Sequence, residues 1–247
     1  MISLGLGSMI ISAVFATSIL SGVFGFAGGM ILMGIYVATL PVGLAMVLHG
    51  YSQLFANGFR FLGLVKHVMW KQAGFYAAGA MVAIAAFWGI AFNPSKPMLF
   101  LMLGLMLFIA LIPKLPRLDF RKPAHAFFCG IVNSIAHVTA GVSGPILDVF
   151  FVSGSMSRFQ VISTKAFTQS LSHALKIAYF SIAVGQAEGD AIPMWLMLAV
   201  PAAALAGTKV GAVILEKMSD ASFLLYTRRL LMGVGAVYVC RAVIAWL

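Results

Sequence analysis

Long apolar runs alternate with short polar joints along almost the entire chain. Runs of about 20 residues are long enough to cross the ~30 Å hydrocarbon core of a bilayer as helices. The runs form a long segment and three helices, and then the same series again: 3–40, 43–65, 72–92 and 97–113, followed by 124–155, 157–184, 192–215 and 222–246. We therefore predict an all-α polytopic membrane protein in which the order of elements repeats.

A glycine-rich stretch interrupts each of the two long segments. The first is Gly25-Phe26-Ala27-Gly28-Gly29, and the second, 116 positions later, is Gly141-Val142-Ser143-Gly144-Pro145. Because glycine tolerates positive φ and proline lacks an N–H, both stretches predict helix breaks. A helix break inside a membrane is tolerated only where the unpaired backbone groups are surrounded by protein or line a water-filled cavity. We expect each break to form a re-entrant helix pair, and the two breaks to form the halves of one substrate site.

The halves also share a pattern of polar residues at this constant offset. Ser18 is equivalent to Ser134, and Gln53 is equivalent to Gln169. Polar residues inside a bilayer are costly, so their coincidence supports a true repeat. On the helix after each break, spacings of four, four and three place a polar quartet on one face. The quartets are His49, Gln53, Asn57 and Arg60 in the first half and Lys165, Gln169, His173 and Lys176 in the second.

A basic linker divides the chain nearly in half. The parts are a first transmembrane repeat at 1–113, the linker at 114–123 and a second repeat at 124–247, which together form one integral membrane domain. The first apolar run, from Leu4 to Phe24, is long enough to span and follows no basic segment. We expect it to be retained as a helix rather than cleaved as a signal peptide.

Equivalent loops carry opposite charge. Residues 66–71 form a basic loop after the first striped helix, whereas Glu188 and Asp190 follow the second. Short loops rich in Lys and Arg stay in the cytoplasm, which favours an inverted-topology repeat in a bacterial cytoplasmic membrane. Residues 66–71 and 114–123 would then be cytoplasmic, and both termini would lie outside. If each broken segment instead crosses the membrane once, the repeats are parallel.

Composition excludes several classes of function. Hydrophobic residues make up 62% of the 247 residues and charged residues only 9%, so the lipid bilayer is the expected partner. The net charge of +10 is spread between apolar runs rather than clustered with aromatic residues, which argues against nucleic acid. Cys129 and Cys240 lie outside any CxxC or His/Cys cluster, so we expect no metal and no cofactor. The sequence is also compatible with a homodimer.

The broken helices predict a binding site for a small anion. A helix that restarts in mid-membrane points free N–H groups and the positive end of its dipole into the gap. Ten residues at the breaks and in the stripes would contact the substrate: Gly28, Gly29, Gln53, Asn57, His137, Ser143, Gly144, Lys165, Gln169 and His173. Lys165 would supply positive charge, or would instead snorkel to an interface or be neutralised by Asp148. Gln53 and Gln169 are alternatively contacts that join helices.

Asp148 is the only acid within an apolar segment. An unpaired carboxylate there would be able to carry a proton during transport, so Asp148 is the candidate coupling residue. A nearby Lys165 or His137 would instead hold it ionised, as in a structural ion pair. Arg60 and Lys176 lie nearer to helix ends, and we interpret them as interfacial anchors.

Several stretches together point to one family. They are the glycine-rich break, Leu40-Pro41 ahead of a helix, the basic stretch from Arg60 to Trp70, and their echo in the second half. In these features the chain resembles the TauE/SafE family, also called the sulfite exporter or toluene sulfonate uptake permease family. Similar proteins move small anionic sulfur compounds or related organic anions. The resemblance therefore implies a secondary transporter rather than an enzyme, without fixing its substrate.

Two other functions are compatible with the same residues. The sequence around Ser143 matches the GxSG of intramembrane serine proteases, with His137 or His173 as the base. The position equivalent to Ser143 in the first half is Ala27, and Pro145 follows the second break. Both observations argue against catalysis. A passive anion channel could be lined by the same polar stripes.

Overall fold

A computed structural model of the chain describes residues 2–24, 27–109, 118–151, 156–182 and 192–246. Within these ranges every regular element is helical, which confirms the all-α prediction there. The α-helices are α1 Leu4–Phe24, α2 Ala27–Thr39, α3 Val42–Leu62, α4 Trp70–Ile90, α5 Lys96–Ile109, α6 Pro123–Ala140, α7 Gly144–Phe151, α8 Arg158–Ile182, α9 Met194–Glu216 and α10 Asp220–Trp246. A 3-10 turn at Val65–His67 lies between α3 and α4. Gly25, Phe26, linker positions 114–117, Glu188 and Asp190 lie outside the described residues.

Three of these helices, α1, α4 and α9, are long and apolar enough to cross a membrane. They contain 21, 21 and 23 residues, which at about 1.5 Å per residue matches the thickness of the hydrocarbon core. The helices α3 and α8 are equally long, with 21 and 25 residues, but they carry the polar stripes. The apolar helix α2 has only 13 residues and is too short to span unaided.

The helices α1 and α9 pack closely and run in the same direction. Gly7 near the start of α1 lies against Trp195 near the start of α9, and Gly22 lies against Gly211 towards the two ends. Small residues allow backbones to approach in this way. The helices α6 and α4 form an equivalent close pair, in which Gly130 lies against the backbone of Tyr76.

The central pair, α3 and α8, runs antiparallel. Gly50 in the middle of α3 lies against Ile177 near the end of α8, whereas Phe61 at the end of α3 contacts Phe167 nearer the start of α8, with ring centroids 5.3 Å apart. The helices α5 and α10 also pack against each other in an antiparallel pair. The striped faces of α3 and α8 therefore lie beside each other, with their ends reversed.

Both broken segments fold back on themselves as helical hairpins. The helix α2 returns along α1, so that Gly28 lies against Thr17 and Ser21. The end of α7 returns to the start of α6, where the Phe120 N–H donates to the Phe150 carbonyl at 3.0 Å. In each case the segment begins and ends on the same side of the helix bundle.

The second break has the backbone that its sequence predicts. The helix α6 ends at Ala140, and Gly141 follows in the left-handed conformation with φ of 75°. Its N–H donates to the His137 carbonyl at 3.1 Å, which closes the last turn of α6. The next helix, α7, starts at Gly144. Glycine suits Gly141 because a Cβ is disfavoured at this φ.

The offset between corresponding helices increases between the third and the fourth pair. The helix α3 begins at Val42 and α8 begins at Arg158, 116 positions later. The helix α4 begins at Trp70 and α9 begins at Met194, 124 positions later, and α5 and α10 keep the larger value. The additional eight positions therefore lie between the starts of α8 and α9.

Candidate functional site

An open cavity of about 920 Å³ lies where the tips of the two hairpins meet α3 and α8. The ends of α9 and the start of α10 complete its wall through Leu215, Met218 and Thr227. It lies towards the end of α3 and the start of α8, because Arg60, Val161 and Ile162 are among its lining residues. The cavity thus occupies the place where the sequence predicted a site.

The cavity brings together most of the residues predicted to bind substrate. Those that line it are Gly29, Gln53, Asn57, Ser143, Gly144, Lys165, Gln169 and His173, together with the coupling candidate Asp148. Two further predicted residues, Gly28 and His137, are absent from its lining. The polar stripes of α3 and α8 thus face a common space, although whether they bind a substrate stays a prediction.

Gly28 and His137 lie behind the cavity wall. A Cβ on Gly28 would collide with Thr17 and Ser21 of α1, so this glycine allows the hairpin to close. The side chain of His137 is 1% exposed, and its Nδ1–H donates to the Asn133 carbonyl at 2.9 Å. Both positions therefore shape the surroundings of the cavity rather than its surface.

Lys165 and Asp148 form an ion pair across the cavity wall, between α8 and α7. Their side chains are 31% and 38% exposed, so both charges remain in contact with the cavity. This contact agrees with the interpretation in which Lys165 neutralises Asp148. A free carboxylate, which the proton-carrier hypothesis needs, is not present in this arrangement.

Arg60 lines the cavity, although it was not among the residues predicted to bind substrate. We expected an interfacial anchor, and its side chain lines the cavity one turn beyond Asn57 and two turns beyond Gln53. Within the described ranges it forms no salt bridge. Because Asp148 is the only acid among the described residues of the lining, Arg60, Lys165 and Asp148 give this described wall one net positive charge. The spacing of the stripe already indicated that Arg60 shares a face with Gln53.

Lys176 is also not an interfacial anchor, because its side chain is 0% exposed. Its Nζ donates at 2.8 Å to the carbonyl of Gly141 and at 2.8 Å to Nδ1 of His49. The Nε2–H of His49 in turn donates to the carbonyl of Gly29 at 2.9 Å. We call the series Gly29, His49, Lys176 and Gly141 the tip-to-tip bridge, because it connects the two hairpins through buried polar groups.

Two more histidines surround the bridge. The rings of His137 and His173 meet edge to face with centroids 4.6 Å apart, and the centroids of His173 and His49 are 5.5 Å apart. His49 and His173 also line the cavity, so this polar cluster connects the cavity with buried Lys176. Each of these residues was predicted to lie on a stripe or in a broken segment, but their spacing along the chain did not indicate that they meet.

Two buried polar atoms at the cavity have no hydrogen-bond partner among the described residues. They are Oγ of Ser143 and Nδ1 of His173, whose residues are 1% and 3% exposed. Buried polar groups are nearly always hydrogen-bonded, so such atoms mark a place for a ligand or water. The same observation means that neither His137 nor His173 forms a Ser–His pair with Ser143, which protease chemistry would require.

Comparison of the chain with protein-family models, with curated proteins and with solved structures finds no match. The site is therefore interpreted from its own geometry. Three features define it: two hairpin tips, two antiparallel polar helices and a cavity wall with one net positive charge.

Proposed function

We propose that the protein is a secondary transporter of small anions, sulfite or a related sulfur-containing or organosulfonate anion. The observation that carries this proposal is the cavity of about 920 Å³ at the hairpin tips, with its net positive charge. Ser143 and His173 add buried polar atoms that lack a partner among the described residues. Positive charge, polar side chains and the glycines of the breaks are the features that recognise small oxyanions.

We further propose that the chain consists of two repeats with inverted topology. A two-fold axis that relates two antiparallel helices runs perpendicular to them, and α3 and α8 are antiparallel. The same operation exchanges the α1–α9 pair with the α6–α4 pair, which matches the observed packing. For helices that cross a membrane, such an axis lies in the membrane plane, as in transporters built from inverted repeats. The folded-back hairpins support re-entrant segments rather than single crossings.

The positive-inside rule assigns a side to the cavity. It lies towards the end of α3, and the basic loop with Lys66 and Lys71 follows this end. The His67 ring stacks on Phe159 at the start of α8, with centroids 5.2 Å apart, so the loop and the cavity share one side. We therefore assign the cavity to the cytoplasmic face of a bacterial inner membrane.

Alternating access is favoured over a passive channel by the tip-to-tip bridge. The buried side chains of His49 and Lys176 close the space between the hairpins behind the cavity. A carrier needs such a closed side, whereas an open channel needs a continuous pore. The proposed resemblance to TauE/SafE proteins supplies the expected substrate class, sulfur oxyanions and sulfonates.

Counterflow in proteoliposomes tests the function. Vesicles loaded with unlabelled sulfite, sulfate or methanesulfonate should accumulate the same labelled anion transiently above equilibrium, because a carrier exchanges substrate without net flow. Arg60→Met should reduce the uptake, whereas Lys209→Met, which removes an exposed lysine outside the cavity, should leave it unchanged. Downhill flux without accumulation would indicate a channel, and no flux with any anion would refute the proposal.

A further inference from the structure

The tip-to-tip bridge holds a buried amine among neutral hydrogen-bonding groups. Lys176 Nζ has two acceptors, the Gly141 carbonyl and Nδ1 of His49. An uncharged amine has two N–H groups, and these two acceptors satisfy both of them. The bridge is therefore complete without a charge on Lys176. A protonated amine would add a third N–H and a full positive charge to the same enclosed space.

No acid in the described part of the chain forms a salt bridge with Lys176 that would compensate such a charge. From the packed helices, the titratable groups that face Lys176 are His49 on α3, His137 on α6 and His173 on α8 itself. The Tyr76 hydroxyl of α4 is bonded to Ser172 at 2.5 Å. Among the described residues, the salt bridges of carboxylates are Asp148 with Lys165 and Asp119 with Arg121, and neither involves Lys176. A buried charge without a partner is strongly unfavourable.

A bound anion would supply the missing partner. His49 and His173 belong both to the cluster around Lys176 and to the wall of the cavity. An anion in contact with these histidines would be separated from the Lys176 amine by a single side chain. In such an enclosed site, charges interact more strongly than in water. The same position allows a proton to pass from cavity water through an imidazole to the Lys176–His49 pair, whose nitrogens are 2.8 Å apart.

From this geometry we propose that the tip-to-tip bridge is a proton-binding site and that the protein binds a proton together with its anion. This inference rests on the proposed function and names the coupling ion. One proton from solvent joins the Lys176–His49 pair when the cavity is occupied, in addition to the hydrogen that Lys176 Nζ already donates to His49 Nδ1, and it is released when the anion leaves. The protein would thus be a proton–anion symporter, with Lys176 rather than Asp148 as the coupling residue.

Calorimetry on the purified full-length protein tests the proposal. Sulfate and methanesulfonate are titrated in two buffers of different ionisation enthalpy, because neither anion binds protons near neutral pH. The difference in heat should correspond to uptake of about one proton per bound anion between about pH 6 and pH 8. Lys176→Met should bind the anion at least tenfold more weakly and take up almost no proton, whereas Lys209→Met should match the parent protein.

The possible outcomes distinguish failure of the proton site from failure of the anion site. Anion binding without proton uptake by the parent protein would overturn the proton site but leave the anion site intact. Full proton uptake by Lys176→Met would also overturn it. If Lys176→Met does not fold, His49→Gln, which keeps a hydrogen-bonding side chain, should also lose the uptake, and retention of full uptake would refute the bridge. Absence of any binding heat would overturn the proposed function and this inference together.

Discussion

The net charge of the cavity wall predicts anion affinity in a series of variants. Arg60, Lys165 and Asp148 together contribute one positive charge in the parent protein. Lys165→Met and Arg60→Met each reduce this sum to zero, Asp148→Asn raises it to two, and the double variant Lys165→Met/Asp148→Asn restores one. If charge dominates recognition, affinity should follow this order, regardless of which individual residue is changed.

The expected steps can be estimated from the geometry. A charge about 6 Å from the anion, at an effective dielectric constant of about 20, contributes about 3 kcal/mol. The side chains of Lys165 and Asp148 are 31% and 38% exposed, so solvent screens part of this energy, and we expect about 1.5 kcal/mol per charge. This corresponds to roughly a tenfold change in Kd per step.

Calorimetric titration with methanesulfonate measures the series. Lys165→Met and Arg60→Met should weaken binding about tenfold, Asp148→Asn should tighten it by a similar factor, and the double variant should lie within about threefold of the parent. Lys209→Met serves as the control for loss of an exposed lysine outside the cavity. If Asp148→Asn weakens binding as much as Lys165→Met does, the ion pair holds the shape of the site and charge does not dominate.

Two further predictions concern the stripes and the topology. Gln53→Leu and Gln169→Leu should each reduce transport more than folded yield, because a lost polar contact to a bound ligand costs about 1–3 kcal/mol. Normal transport by both variants would mean that the stripes serve only as packing contacts. Lys71 and Asn93 lie at the two ends of α4. In a Cys240→Ser background, a cysteine that replaces Lys71 should therefore react with an impermeant maleimide only from the cytoplasm, and one that replaces Asn93 only from outside. Labelling of both from one side would contradict the proposed arrangement.

The sequence predicted local breaks and faces better than distant contacts. Gly141 was expected to interrupt a helix, and the structure shows it in a left-handed conformation after Ala140. The stripes were expected to lie on one face because their spacing follows the helical repeat, and Gln53 and Gln169 do share a cavity. These features depend on residues within a few positions of each other, which composition and periodicity encode directly.

The contacts of the two cations that were interpreted as anchors depend on tertiary structure. Arg60 and Lys176 occupy equivalent positions in the stripes, and both were interpreted as anchors because they lie towards helix ends. The sequence does not specify how far each helix extends past its neighbours, so it does not distinguish a buried end from an interfacial one. In the antiparallel α3–α8 pair, Lys176 reaches the Gly141 carbonyl at 2.8 Å, whereas Arg60 faces the cavity.

The tip-to-tip bridge also bears on how the two faces of the membrane would differ. Each of three residues in its cluster has an equivalent on the cavity wall at the offset of 116: Lys176 with Arg60, His173 with Asn57 and His49 with Lys165. Under the proposed inverted repeat, a change to the outward-open state exchanges these two environments. The outer site would then offer Lys176, His173 and His49 in the places where the inner site offers Arg60, Asn57 and Lys165. Since histidine titrates near neutral pH and arginine does not, the charge of the outer site would vary with acidity, whereas Arg60 would keep its charge at the inner site.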